Sequence, residues 1–233
     1  MVSDQPAREA STAEPTVVAH ENGQIAYTEY GDADGDPVVL FHGTPGSRRL
    51  GALFERAAET HSNRLLSVDR PGYGASKPWP ARSISDAGAY VSAVLDDADI
   101  ETATLLAFSG GCPQAIATAA THGDRVDSVE IVSGATPPSV SEDTPTVQQV
   151  LATLATRTPS LLGGFLRGQA WLAERLDPEI VVAQYRADDP AEPLADETAE
   201  LIKADFIEAV SRSRRGTVTE LQANAAAWRI DFD

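Results

Sequence analysis

"LLAFSGGCPQA", residues 105–115, decides how this chain folds. An apolar run stops at Ser109, two glycines follow, and a stretch suited to a helix comes next. The pattern is a strand that turns abruptly into a helix at a serine. In a nucleophile elbow such a turn projects the serine hydroxyl from the end of a sheet. Its crowded flanks call for small residues two before and two after the serine. Ala107 and Gly111 meet that need, and Ala107 departs from the G-x-S-x-G form by a single methyl group. An ordinary Ser-Gly-Gly turn fits the pentapeptide equally well. Its surroundings must separate the two.

Those surroundings alternate. "TVVAHENGQIAYTEYGD" reads as two short strands, 16–20 and 24–30, around Asn22-Gly23, the strongest short hairpin signal. "PVVLFHG" (37–43) is a continuous apolar run, as expected of a strand buried on both faces. Helical spacing follows in "RLGALFERAAETH", then a buried run in "RLLSVDRPGYG". A helix is expected from "SISDAGAYVSAVLDDADI", with Ser83 or Ser85 as its N-cap. After the elbow come the helix "GCPQAIATAATHGD" and the strand "RVDSVEIVSG". Strands alternating with helices imply right-handed crossovers and a mostly parallel sheet, with ligands at the carboxyl ends of the strands. "HGTPGS", "DRPGYG" and "FSGGCP" all fall at that edge.

Past Gly134 the alternation stops. "ATPPSVSEDTP" reads as a linker, and helices are expected at 145–157, 160–174, 178–187, 192–213 and 217–228. The chain thus divides into a loose N-terminal tail (1–15), an α/β core (16–136), a helical cap or lid (137–228) and the start of another core segment (229–233).

Taken together, "VVLFHGTPGSRR", "VDRPGYGASKP" and "LLAFSGGCPQAIA", in this order and spacing, resemble the α/β-hydrolase superfamily, in particular its serine-hydrolase branch of small esterases and peptidase-like enzymes. The resemblance covers residues 16–136. It implies Ser109 as nucleophile, with the backbone N–H groups of Gly110 and Thr44 forming an oxyanion hole. Two such donors can lower the barrier by roughly 3–4 kcal/mol each. It also implies that His42 is structural and that Asp69-Arg70 is an ion-pairing hinge rather than the catalytic acid. Related haloalkane dehalogenases and epoxide hydrolases carry an aspartate at the elbow, so a serine turns the chemistry toward acyl transfer on an ester or amide. No metal or cofactor is implied.

The partners of Ser109 are missing. In this family the acid and then the histidine follow the nucleophile in the chain. Of four histidines (His20, His42, His61 and His122) only His122 follows Ser109. It ends the elbow helix, at the opposite edge of the sheet. Asp231 and Asp233 precede the expected strand and are poor candidates for the acid. Two further strand–helix units of about 30 residues each are expected beyond residue 233. The expectation is therefore an α/β-hydrolase fold lacking its last strands, C-terminally truncated and inactive by itself, with an exposed sheet edge that invites a complementing chain or a second copy. A non-catalytic small-molecule-binding pseudoenzyme and one half of a split two-chain hydrolase are the alternatives.

Cys112 reads as a small buried hydrophobe on the elbow helix. A lone cysteine excludes an internal disulfide. The tryptophans, Trp79, Trp171 and Trp228, read as packing residues, with Trp171 a candidate for an acyl pocket. The N-terminus has no signal-peptide pattern and no apolar run approaches a membrane span, so a cytoplasmic location is expected.

With 35 acidic residues against 18 basic ones, and lysine only at Lys77 and Lys203, the chain carries a net charge of −17. That surface repels nucleic acid and anionic membrane. The acids are spread along the chain, a pattern suited to solubility at high salt, where repulsion is screened. A thermal melting series in potassium chloride should show stability rising with salt. A maximum in dilute buffer would remove the salt-adaptation reading.

Overall fold

A computed structural model describes residues 14–79, 81–138, 146–183, 194–228 and 230. Six strands form one sheet in the order β1-β2-β4-β3-β5-β6. β1 (Thr16–His20) and β2 (Gly23–Gly31) are the expected hairpin, with Gly23 opposite His20. β2 then pairs antiparallel with β4 (Asn63–Asp69). β3 (Asp36–Phe41), β4, β5 (Ala103–Phe108) and β6 (Val126–Val132) are parallel. The sheet is mostly parallel, as the alternation predicts, with its hairpin on one side.

The strand period of two divides the central residues between two cores. Val39 and Phe41 of β3, Leu66 and Val68 of β4, and Leu105 and Ala107 of β5 face one side. There they pack with α2 (Ala87–Asp97) and α3 (Cys112–Thr121). Their neighbours Leu40 and Leu65, with partly buried Val38 and Leu106, face the other side. They meet Ala58 of α1 (Glu55–Thr60) and Leu50 and Ala52 of the 3-10 helix Arg48–Phe54. Continuous apolar runs are what such two-sided burial requires. Ser83 is the cap of the turn leading into α2, in a capping box with Asp86 that resolves the choice between Ser83 and Ser85.

The later part of the chain is helical: α4 (Thr146–Arg157), α5 (Pro159–Ala173), α6 (Pro178–Ala183), α7 (Asp196–Ser211) and α8 (Arg215–Ala225). Each falls within four residues of its expected bounds, α4 and α5 within one. The part of the third expected helix beyond residue 183 lies outside the described residues. The helices do not merely cover the sheet. Ala170 and Ala173 of α5, Val181 of α6 and Phe206, Ala209 and Val210 of α7 close around Tyr73, from the turn after β4. Trp228 and Ile230 return to the main core. Among the described residues no helix is long and apolar enough to cross a membrane.

α7 also grips the loop after β3. Asp205 accepts hydrogen bonds from the Ser47 amide (2.7 Å) and hydroxyl (2.8 Å). Burial, with Asp69 as a lesser cause, pushes its carboxyl up to about 7, against 3.8 in a model peptide. Between those values the folded chain holds a proton that the unfolded chain has released. The group's stabilising contribution is therefore full below about pH 4 and is lost as pH rises through 7. Asp205→Asn keeps an acceptor for Ser47 and has no proton to lose. In urea titrations, the stability of wild type relative to Asp205→Asn should fall between pH 4 and 7 and then level off.

Candidate active site

Ser109 stands at the carboxyl end of β5 with φ at +50°. That left-handed conformation costs a non-glycine residue about 1–3 kcal/mol and persists only where the surroundings enforce it. Here they do. The 3-10 turn Ser109–Gly111 runs straight into α3. The Ser109 carbonyl is held by the Ala135 amide at 3.0 Å, which ties the elbow to the segment leaving β6. A Cβ on Gly111 would lie 2.7 Å from the Phe41 carbonyl oxygen and 2.8 Å from that of His42. The requirement for a small residue two after the serine is thus a physical contact. Ser109 itself is half-buried.

The loop after β3 comes to the same place. A Cβ on Gly110 would meet the Thr44 hydroxyl and lie 3.2 Å from the Thr44 backbone nitrogen. One on Gly43 would lie 3.7 Å from the Ser109 Cβ. Residues 44, 109 and 110, singled out from the sequence, are therefore neighbours in space.

The histidines are not at this point. His42 is fully buried, its Nδ1 donating to the Gly43 carbonyl (2.7 Å) and its Nε2 accepting from the Arg70 amide (3.4 Å). Burial first, and then the Arg70 charge, hold it well below the usual histidine range. It stays neutral with both nitrogens engaged, a structural residue as expected. His61 ends α1 and precedes β4, at the opposite edge of the sheet from Ser109. His122 ends α3, about 15 Å along the helix from the elbow. His20 ends β1, four strand spacings or about 19 Å from β5. Asp231 and Asp233 lie outside the described residues.

The sequence profile of the α/β-hydrolase fold matches residues 36–171, more than half of the chain. The chain belongs to the α/β-hydrolase family. It is 28% identical over 210 residues to a haloalkane dehalogenase of Mycobacterium marinum, covering 88% of this chain and 67% of that protein. It is 26% identical over 123 residues to an uncharacterized hydrolase, YcgS, of Bacillus subtilis, covering 51% of this chain and 41% of that protein. The structure overlays an esterase from Exiguobacterium antarcticum with a TM-score of 0.66 at 19% identity, over 93% of this chain and 75% of that one. The chain thus spans only part of the length of its relatives.

Within this hydrolase fold, one residue beside the elbow escaped sequence reasoning. Glu220 of α8 is wholly buried. It receives a bidentate pair from Arg70 (Nε–Oε1 and Nη2–Oε2, both 2.7 Å) and Arg82 Nη2 at 2.8 Å. The Tyr73 hydroxyl donates at 2.8 Å and the Thr44 hydroxyl at 3.0 Å. Arg70 also donates to the carbonyls of His42 and Gly43. Burial opposes ionisation of Glu220, but Arg70 and Arg82 outweigh it and hold the carboxyl well below its usual range. In sequence, Glu220 looks like one more solvated acid on an amphipathic helix. The Asp69-Arg70 pair does form ion pairs, though with separate partners. Asp69 binds Arg48 at 2.9 Å, and Arg70 binds Glu220.

Cys112 is buried, and burial pushes its thiol pKa up, so it behaves as a small hydrophobe. Trp79 and Trp228 pack against the main core. Trp171 differs from expectation. It is 58% exposed, with the Arg175 guanidinium 4.1 Å from its ring centre, and it joins none of the buried clusters among the described residues.

Removing one partner from a buried charge network leaves the others uncompensated, at a cost of about 3–5 kcal/mol. Glu220→Gln should lower stability by that amount in urea unfolding monitored by circular dichroism. A loss below about 1 kcal/mol, the scale of an exposed pair, would show that the network contributes little.

Proposed function

We propose that this chain is the nucleophile-bearing part of a serine hydrolase that cleaves an ester or amide through an acyl-enzyme. The observation carrying this reading is the constrained Ser109 at the carboxyl end of β5, with Gly110 packed on Thr44. Ser109 Oγ attacks the carbonyl carbon, and the developing oxyanion is held by the N–H groups of Thr44 and Gly110. The leaving group departs, and water then releases the acid from Ser109. Helices α4 to α8 act as the cap that shapes the substrate site.

A serine hydroxyl is a weak nucleophile without a base in hydrogen-bond reach and a third group to orient that base. All four histidines are among the described residues, and none is placed to serve. The base and its acid are therefore supplied by polypeptide outside the described residues. The edge strand β6 is the place for it to join. Ile131 and Val132 are about half exposed there, one strand from Ser109. Asp127 and Glu130 are exposed on the same strand. Two copies of β6 would bring these carboxylates together, so a complementing segment of different charge suits the edge better than a second copy.

With p-nitrophenyl acetate, the chain alone should show no turnover above its Ser109→Ala variant. Addition of the polypeptide encoded immediately downstream should produce turnover that Ser109→Ala abolishes. Ser109-dependent turnover by the chain alone would overturn the two-part reading. No Ser109 dependence in either assay would favour a binding protein that keeps the elbow without its chemistry.

A further inference from the structure

A cleft of about 890 Å³ opens between α5, the α7–α8 connection and the turn-rich segment after β4. Ser109, Gly110 and Thr44 do not line it. It is lined by Arg167, Arg212, Arg214 and Arg215, with Trp79 and Pro78 among the apolar residues. Among the described residues, no aspartate or glutamate lines it. In a chain with 35 acidic and 18 basic residues, four guanidiniums around one cleft, with no carboxylate among its described lining residues, are a marked local reversal of charge.

These arginines are also not used up within the fold. Among the described residues, none of the four forms an ion pair. Arg214 donates to the carbonyls of Val210 and Ser211, which tethers it but leaves its charge uncancelled. Arg212 lies within electrostatic reach of Glu208, a carboxylate already engaged by Arg48 and Arg49. Every other arginine that pairs does so with a nearby carboxylate at 2.6–3.7 Å.

We propose that this cleft is a binding site for an organic anion, a carboxylate or phosphate attached to an apolar ring. The guanidiniums suit the anionic group, because they offer paired N–H donors in the geometry of a carboxylate or phosphate. Trp79 and Pro78 suit the ring. Trp79 also packs against His20, with ring centres 5.0 Å apart, and against the main core, which holds the indole in place. The volume lies in the range that encloses a small organic ligand. The net charge of −17 does not prevent this. At about 0.1 M ionic strength the Debye length is about 10 Å, so distant acids are screened while the lining arginines act at contact.

The test uses phenyl phosphate, benzoate, inorganic phosphate and benzyl alcohol as probes, at about 0.1 M ionic strength, read by tryptophan fluorescence and isothermal calorimetry. Phenyl phosphate and benzoate should bind saturably, and which binds more tightly identifies the preferred anion. Inorganic phosphate should bind at least about tenfold more weakly for want of the ring, and benzyl alcohol should not bind. The double variant Arg212→Gln/Arg215→Gln, both positions exposed, should weaken the two ring anions by at least about tenfold, about 1.4 kcal/mol, with an unchanged circular dichroism spectrum. Trp79→Leu should weaken the ring anions and leave inorganic phosphate unaffected. Ser109→Ala should bind as wild type does, which separates this cleft from the elbow. Failure of both ring anions to bind at millimolar concentration, or equal affinity in the double arginine variant, would overturn the proposal.

Discussion

Glu220 is the constraint on which the rest of this structure depends. A lone carboxylate taken fully out of water costs several kcal/mol, so its burial is tolerable only if every lone pair is met. Two guanidiniums, a phenol and a hydroxyl meet them, and the network joins three separate parts of the chain. Thr44 is on the loop after β3. Arg70, Tyr73 and Arg82 follow β4. Glu220 is on α8, more than a hundred residues later. The pairing is satisfied in only one placement of α8, so it fixes how the helical block sits on the sheet. Because Arg70 also binds the carbonyls of His42 and Gly43, the same carboxylate fixes the loop that carries the Thr44 amide beside Gly110. Docking of the helices and placement of the Thr44 loop beside Ser109 and Gly110 are thus one event.

The elbow and the His42 loop show how local strain is made affordable. The positive φ of Ser109 would relax if either flank gave way. It does not, because Gly111 lies against the carbonyls of Phe41, the last residue of β3, and of His42 just after it, and both residues are fully buried. His42 completes the arrangement from inside, stacking edge-on against Tyr73 at 4.9 Å while bridging Gly43 and Arg70. A histidine so thoroughly engaged is a brace. It could accept a proton from Ser109 only by giving up the contacts that hold the loop.

What the sequence disclosed follows the range of the interactions. The hairpin at Asn22-Gly23, the cap at Ser83, the apolar strands and the elbow at Ser109 are each specified within about ten residues, and each was legible. The structural reading of His42 came with the family resemblance, and the remoteness of His122 followed from helix rise alone. The placement of β4 between β2 and β3, the burial of Glu220 and the convergence of Arg167 with Arg212, Arg214 and Arg215 are set by contacts between distant segments. Glu220 and the cleft arginines sit in amphipathic helices, where a charge ordinarily means a solvated face. Trp171 misled in the opposite sense, because a large aromatic suggests a core and here it lies outside under Arg175.

The partition of charge gives the acidic composition a sharper meaning. Arg48, Arg70 and Arg82 are buried in ion pairs, and four more arginines line the cleft. Among the described residues, the three buried arginines stand against three buried acids, Asp69, Asp205 and Glu220, so the charges withdrawn from solvent are equal in number. The exterior therefore carries the acidity that the net charge of −17 conveys, and its repulsion acts against the compact state. The buried network at Glu220 acts the other way, and being shielded from solvent it is little affected by added ions. Salt thus relieves the term that opposes folding while leaving intact the one that fixes α8 on the sheet.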